Sequence, residues 1–322
     1  MPVAAPRPRG GLPSRRGVLR TGSGLLGLGL AAVLTGSLAG CGVRLDGEPA
    51  PAPAPVADES PLLRVLVAVA YAAAVAGRTT PRSTASARLA ALHATQVAAV
   101  RDRLRVAGVD DAVTDAAAQP PSSPTGADAR TLVRAESAVV LGELLPVAGG
   151  TASIATRVLA AAVATCGAAG AAEVGTPLSW PDAPALPGPA AAALLDATRA
   201  ASYGVTVATA RVPAQQRAPY AALGSRLAVR ADSLLAQAGS SAGPPQLGWR
   251  LPFPVTDQAS ARRLVQHVLV GLVAAGLDPL ATGAVPAGSR AVDRLVQLQA
   301  DVVGLARGWG TAPTAFPGMV LP

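Results

Sequence analysis

From Val158 to Ala172 the chain runs fifteen residues without a charge, reading VLAAAVATCGAAGAA. A helix that is apolar all round must be covered on every side, by protein or by lipid. At 1.5 Å per residue the stretch reaches about 22 Å, short of the roughly 30 Å hydrocarbon core of a bilayer. The expected place for it is therefore the interior of a helical protein, at the junction of two bundles. The apolar run Val65 to Gly77 is read as a buried helix on the same ground.

The rest of the chain is consistent with such an interior. From Pro61 onward, apolar residues recur at intervals of three and four, and Gly/Pro clusters separate the segments. The spacing predicts helices over 61–77, 84–107, 128–145 and 151–173, a Pro-rich break, and then 190–211, 214–238, 257–278 and 287–308. Asp128 and Asp257 are placed to cap helix starts, and Gly108 and Gly239 to end helices. Alanine fills 74 of 322 positions and the aromatics only eight, so helices must approach closely and stability must come from many small contacts. The fold expected is all-α: two tandem four-helix bundles, 61–173 and 190–322, joined by a Pro-rich linker over 174–189.

The quartets resemble each other. Leu62, Leu63, Ala68, Tyr71, Val75 and Ala76 match Leu194, Leu195, Ala200, Tyr203, Val207 and Ala208 at an offset of 132. Ala90, Ala91, Leu92, Leu104, Ala107 and Gly108 match Ala221, Ala222, Leu223, Leu235, Ala238 and Gly239 at an offset of 131. Duplication of one unit accounts for the match, although Ala-rich helices also produce chance identities.

The first forty residues have the order of an export signal. A charged region with Arg15-Arg16 precedes an apolar stretch, Leu25 to Leu38, and then Leu38-Ala39-Gly40-Cys41. Arg15 and Arg16 resemble the twin-arginine export motif, and Leu38 to Cys41 resemble a lipobox, whose cysteine receives a diacylglyceryl lipid before cleavage. Residues 1–40 thus read as a signal peptide. Residues 41–60 read as a tether, whose Pro-Ala tract (Pro49 to Pro55) favours extended polyproline II. The expected location is the extracytoplasmic face of the cell membrane, with the lipid on Cys41 in its outer leaflet.

This leader changes the meaning of the charge. The full chain carries +8, but residues 1–40 hold five arginines and no acid. What remains is 22 Arg against 19 acids, about +3, and the arginine pairs lack interleaved aromatics, so nucleic acid is not an expected partner. Arg226, Arg230, Arg262 and Arg263 are read as solvated helix faces. With Cys41 lipidated, Cys166 has no intrachain partner and is read as a small buried hydrophobe.

The second quartet resembles a ferritin-like domain family of unknown function, of the type found in high-GC Gram-positive bacteria. The residues that carry the likeness are Asp196 to Gly204 (DATRAASYG), Leu251 to Asp257 (LPFPVTD) and Ala315-Phe316-Pro317-Gly318. The likeness covers about 187–319 and implies a four-helix bundle with no assigned reaction. Ferritin-like bundles that do chemistry hold two metals with one Glu from each of two helices and Glu-x-x-His from each of the other two. Here Ala90 and Leu264 stand three residues before His93 and His267, and no Glu follows Glu173. Asp196 stands where the family often has Glu and is placed to pair with Arg199. The one remaining candidate set is His93 with Glu136 and Glu143, the two acids seven apart and hence on one helical face.

Other chemistry has less support. Gly239 to Gly243 (GSSAG) fits the letters of a nucleophile elbow, but it follows a helix and runs into Pro244-Pro245. Tyr71 and Tyr203 read as core residues. No catalytic, cofactor or metal residue is assigned; the assigned residues are Cys41 for lipidation and Arg15, Arg16, Leu38, Ala39 and Gly40 for export. The expected function is a non-catalytic binding or scaffold module of the cell envelope, with an envelope protein or an apolar ligand as partner. The competing reading is a ferritin-like metal-dependent oxidoreductase or metal-binding protein with a non-standard site.

Overall fold

The computed structural model describes residues 58–120 and 126–319, all within one contact unit, Ala54–Pro322. The export and lipidation residues Arg15, Arg16 and Leu38 to Cys41, and the Pro-Ala tract, lie outside the described residues. The described chain is helical and contains no strand. In order come α1 (Glu59–Gly77), α2 (Thr84–Val106), α3 (Asp111–Ala118), α4 (Ala129–Ser137), a π-helical segment (Ala138–Leu144), α5 (Leu145–Gly149) and α6 (Ile154–Val174). After the Pro-rich break follow α7 (Gly188–Ala210), α8 (Ala218–Ala238), α9 (Gln258–Ala275), α10 (Asp278–Ala281) and α11 (Ala291–Gly308).

Local chemistry sets these boundaries. Asp128 accepts from Thr131 N at 2.7 Å, and Asp257 from Ser260 N at 2.8 Å, each satisfying a free first-turn donor. Ser83 and Ser86 close a reciprocal cap on α2. Gly108 ends α2 in the left-handed region at φ 85°, where a side chain would be strained. Asp58, itself at φ 61°, accepts from Ser153 N at 3.1 Å on both carboxylate oxygens, tying the start of α1 to the start of α6.

Helix α6 is the axis of the packing. Every residue from Thr156 to Ala171 is buried. Around it lie α1, α2, α4, the π segment, α5, α10 and α11. Beyond α11, α7 packs on α8 and α9. One apolar core takes in Leu62 and Leu66 of α1, Leu194 and Leu195 of α7 and Leu295 of α11, so helices from both halves of the chain contribute to it.

Two expectations from the sequence are corrected. Helix α6 extends past its charge-free stretch to 21 residues, so length does not bar it from spanning a bilayer. By length and composition α1, α6 and the segment Gln258–Ala281 are all long and apolar enough. What marks α6 as an interior helix is its cover of neighbouring helices. The chain from 128 to 145 is also not one α-helix. Pro146 has no N–H for the Gly142 carbonyl and its ring crowds that oxygen, and the turn ahead of it widens into the π segment.

The internal matches share helices but not always surroundings. Leu62 and Leu194 are both buried, whereas Leu104 is buried and its counterpart Leu235 is 43% exposed, with Leu234 taking the inward position. Tyr71 and Tyr203 are only half-buried, Tyr203 lying against Trp249 at 5.6 Å. Arg230 is not a solvated cation: its Nη1 donates to Leu298 O at 2.9 Å, and burial pushes the guanidinium down to about 10, with Asp301 offsetting part of the effect.

Glycines let neighbours reach α6 closely. A Cβ on Gly167 would meet Glu136 Oε2 at 2.6 Å, and one on Gly170 would meet Leu89 Cδ1 at 2.6 Å. Gly304, in α11, faces open space. Helix propensity favours alanine at both helical sites by up to about 1 kcal/mol, so the contrast between them reads packing. Gly304→Ala is expected to raise the thermal midpoint and Gly167→Ala to lower it, by about 1–3 kcal/mol of overpacking. Two rises in differential scanning calorimetry would contradict this packing.

Candidate functional site

The His93–Glu136 part of the sequence-level candidate set comes together. His93 on α2 and Glu136 on α4 are 1% and 0% exposed, and Nε2 stands 2.9 Å from Glu136 Oε1. On the other side of the ring, Nδ1 is 2.7 Å from Gln96 Oε1. The amide of Gln96 is oriented by its far end, where Nε2 donates to the carbonyl of Ala315. Gln96 therefore presents an acceptor to Nδ1, and the Glu136 carboxylate presents one to Nε2. A ring with acceptors at both nitrogens is best served by imidazolium, which donates twice.

The charge balance agrees. Burial pushes the His93 pKa down, but the Glu136 charge and the hydrogen bonds from Glu136 and Gln96 outweigh it, and the net shift is upward. Next to this pair is Cys166, also fully buried, whose thiol is pushed up to about 12 by burial, with Arg307 opposing and Glu136 adding to the shift. Such a thiol is inert at neutral pH. Arg307 donates to Glu173 Oε2 at 2.9 Å, and Arg88 pairs with the other oxygen of Glu173. Three buried polar atoms of the region, Glu136 Oε2 and Arg307 Nε and Nη2, have no hydrogen-bond partner among the described residues.

Glu143 does not join them. The sequence argument placed it on the face of Glu136 because seven residues make nearly two α-turns. The chain between them is π-helical from Ala138, so each residue turns through a smaller angle, and Glu143 emerges exposed beside α1. A ferritin-like di-metal site needs several carboxylates converging with two histidines. The residues present do not fit it: the nitrogens of His93 face Gln96 and Glu136, and Glu143 points elsewhere. In the second half, His267 lies against the Phe253 ring at 6.2 Å and Asp196 pairs with Arg199 at 3.8 Å. Among the described residues no three His, Cys, Asp or Glu side chains are grouped to hold a metal ion.

The segments Asp196 to Gly204, Leu251 to Asp257 and Ala315 to Gly318 each have a structural role. Asp257 of LPFPVTD caps α9, and Arg263 lies 4.2 Å over the Phe253 ring. Gly204 of DATRAASYG lets α9 approach, since a Cβ there would meet Val268 Cγ1 at 2.6 Å. Ala315 closes the histidine network and Phe316 is buried in the main core. Ser241 of GSSAG lies on an exposed turn after α8.

No known family model, curated protein or solved structure matches the chain.

The His93 network sets a pH dependence. A histidine whose folded pKa is raised contributes stability that is fully present below its unfolded value near 6.5 and is lost as pH rises through the folded value. The urea midpoint is expected to fall from pH 6 towards pH 9, and His93→Gln to flatten that slope. A slope unchanged in the variant would show that other groups carry it.

Proposed function

We propose that the chain is an exported, lipid-anchored cell-envelope protein whose paired helical bundles, of ferritin-like type, form a non-catalytic binding or scaffold module. The export reading is supported by the order Arg15-Arg16, apolar Leu25 to Leu38, then Leu38-Ala39-Gly40-Cys41. The non-catalytic reading is carried by one observation: the sequence's best chemical candidate, His93 with Glu136, is sealed from solvent, and both His93 nitrogens are engaged by Gln96 and Glu136. Such a pair positions helices and meets no substrate. Its partners on this reading are the outer leaflet of the membrane, through the lipid on Cys41, and an envelope protein or apolar ligand.

Two measurements test the parts separately. Cys41→Ala is expected to move the protein from the membrane fraction to the soluble fraction, and continued membrane retention would overturn the anchor. Metal analysis of the purified protein tests the module. Stoichiometric iron or manganese that disappears in His93→Gln would replace this reading with the metal-dependent one.

A further inference from the structure

A groove of about 860 Å³ runs between α1 and the π segment. That size falls within the roughly 300–1,000 Å³ of small-ligand sites. Its length is set by α1, from Glu59 to Tyr71, which at 1.5 Å per residue is about 18 Å. The two walls run antiparallel. Val75 and Ala76, at the end of α1, cluster with Leu132 and Ala135 of α4, while Asp58 at its start is bonded to Ser153, just beyond α5. Glu143 therefore lies at the Glu59 end, and Val139 at the Tyr71 end.

The groove is thus polarised. Its floor is apolar, with Val67 43% exposed although solvent offers it no partner. Its acidic end holds Asp58, Glu59 and Glu143; among the described residues the cations there are Arg64 in the lining and Arg103, whose charge acts on Asp58. Asp58 is occupied with Ser153, but neither Glu59 nor Glu143 makes an ion pair among the described residues. The π turn is what brings Glu143 here, and such turns recur at functional sites. We infer that the groove binds a small amphiphile with a cationic head, its ammonium or guanidinium between Glu59 and Glu143 and its apolar body along Val67, Tyr71 and Val139. This deepens the binding-module reading by naming a ligand class.

Titration calorimetry on the full-length protein tests it, using dodecyltrimethylammonium, dodecyl maltoside and dodecyl sulfate below their micelle concentrations. The cation is expected to bind about tenfold more tightly than the neutral probe, and the anion more weakly than either. Replacing both acids, Glu59→Gln with Glu143→Gln, is expected to bring the cation to the level of the neutral probe and leave the latter unchanged. Val67→Trp, a substitution on an exposed position, is expected to abolish binding of all three without lowering the thermal midpoint. Equal affinities for the three probes, or a cation affinity unmoved by the double Gln variant, would overturn the inference. Should Val67→Trp not fold, the Gln pair still decides it. Crosslinking in intact cells that captures an envelope protein, with no dodecyl probe binding, would remove the groove's assignment while sustaining the module. Dodecyl cation binding in a protein that stays in the membrane after Cys41→Ala would keep the groove and remove the anchor.

Discussion

Between Thr156 and Ala171 helix α6 has no outward face, and α1, α2, α4, the π segment, α5, α10 and α11 are arranged as its cover. An all-round apolar helix built from alanine and glycine gives each neighbour little area, so stability depends on how many helices can lie against it and how closely. Gly167 and Gly170 set that closeness. One charged side chain also enters the interior on α6: Arg157, 3% exposed, donates from Nε to Ala148 O and from Nη2 to Val285 O and Pro286 O. Its charge is spread over carbonyls at the end of α5 and in the loop before α11. These chain segments far apart in sequence are thereby held against the start of α6.

A polar seam beside α6 complements this apolar axis. His93, Gln96 and Glu136 are each useless to solvent chemistry in their present places, but together they fix the rotation of α2 against α4 and the path of the tail. A pair of buried ions contributes little net stability compared with apolar replacements, because desolvation offsets attraction. Its value lies in register. Among alanines, which pack almost equally well in several rotations, a directional bond chooses one.

Much of the helical plan was legible in the sequence, because the three- and four-residue rhythm and the capping residues Asp128 and Asp257 are local signals. Helix α3 carried a signal that went unread, the Asp110 cap before an alanine run, since Asp110 Oδ1 accepts from Ala112 N at 2.7 Å. The π segment ahead of Pro146 breaks the α-helical spacing on which the placement of Glu143 beside Glu136 depends. Arg157 stands one residue before the charge-free stretch, so the apolar pattern alone does not mark it as interior. Gln96 and the Ala315 carbonyl had no sequence signature at all. A backbone acceptor is the same at every residue, and only the fold determines which one a glutamine will meet. The cationic character of Arg230 was read from its type, while its surroundings make it an internal donor.

The bond from Gln96 to Ala315 joins residues 219 positions apart. During synthesis residues 93 and 136 leave the ribosome long before residue 315 exists. Until then Gln96 is free to turn its amide, offer Nδ1 a donor instead of an acceptor, and leave the imidazolium short of a partner. The charged pair is therefore completed only when nearly the whole described chain has left the ribosome. A shortened product ending before 315 would carry a mis-set histidine at its centre, marking it as unfinished from the inside.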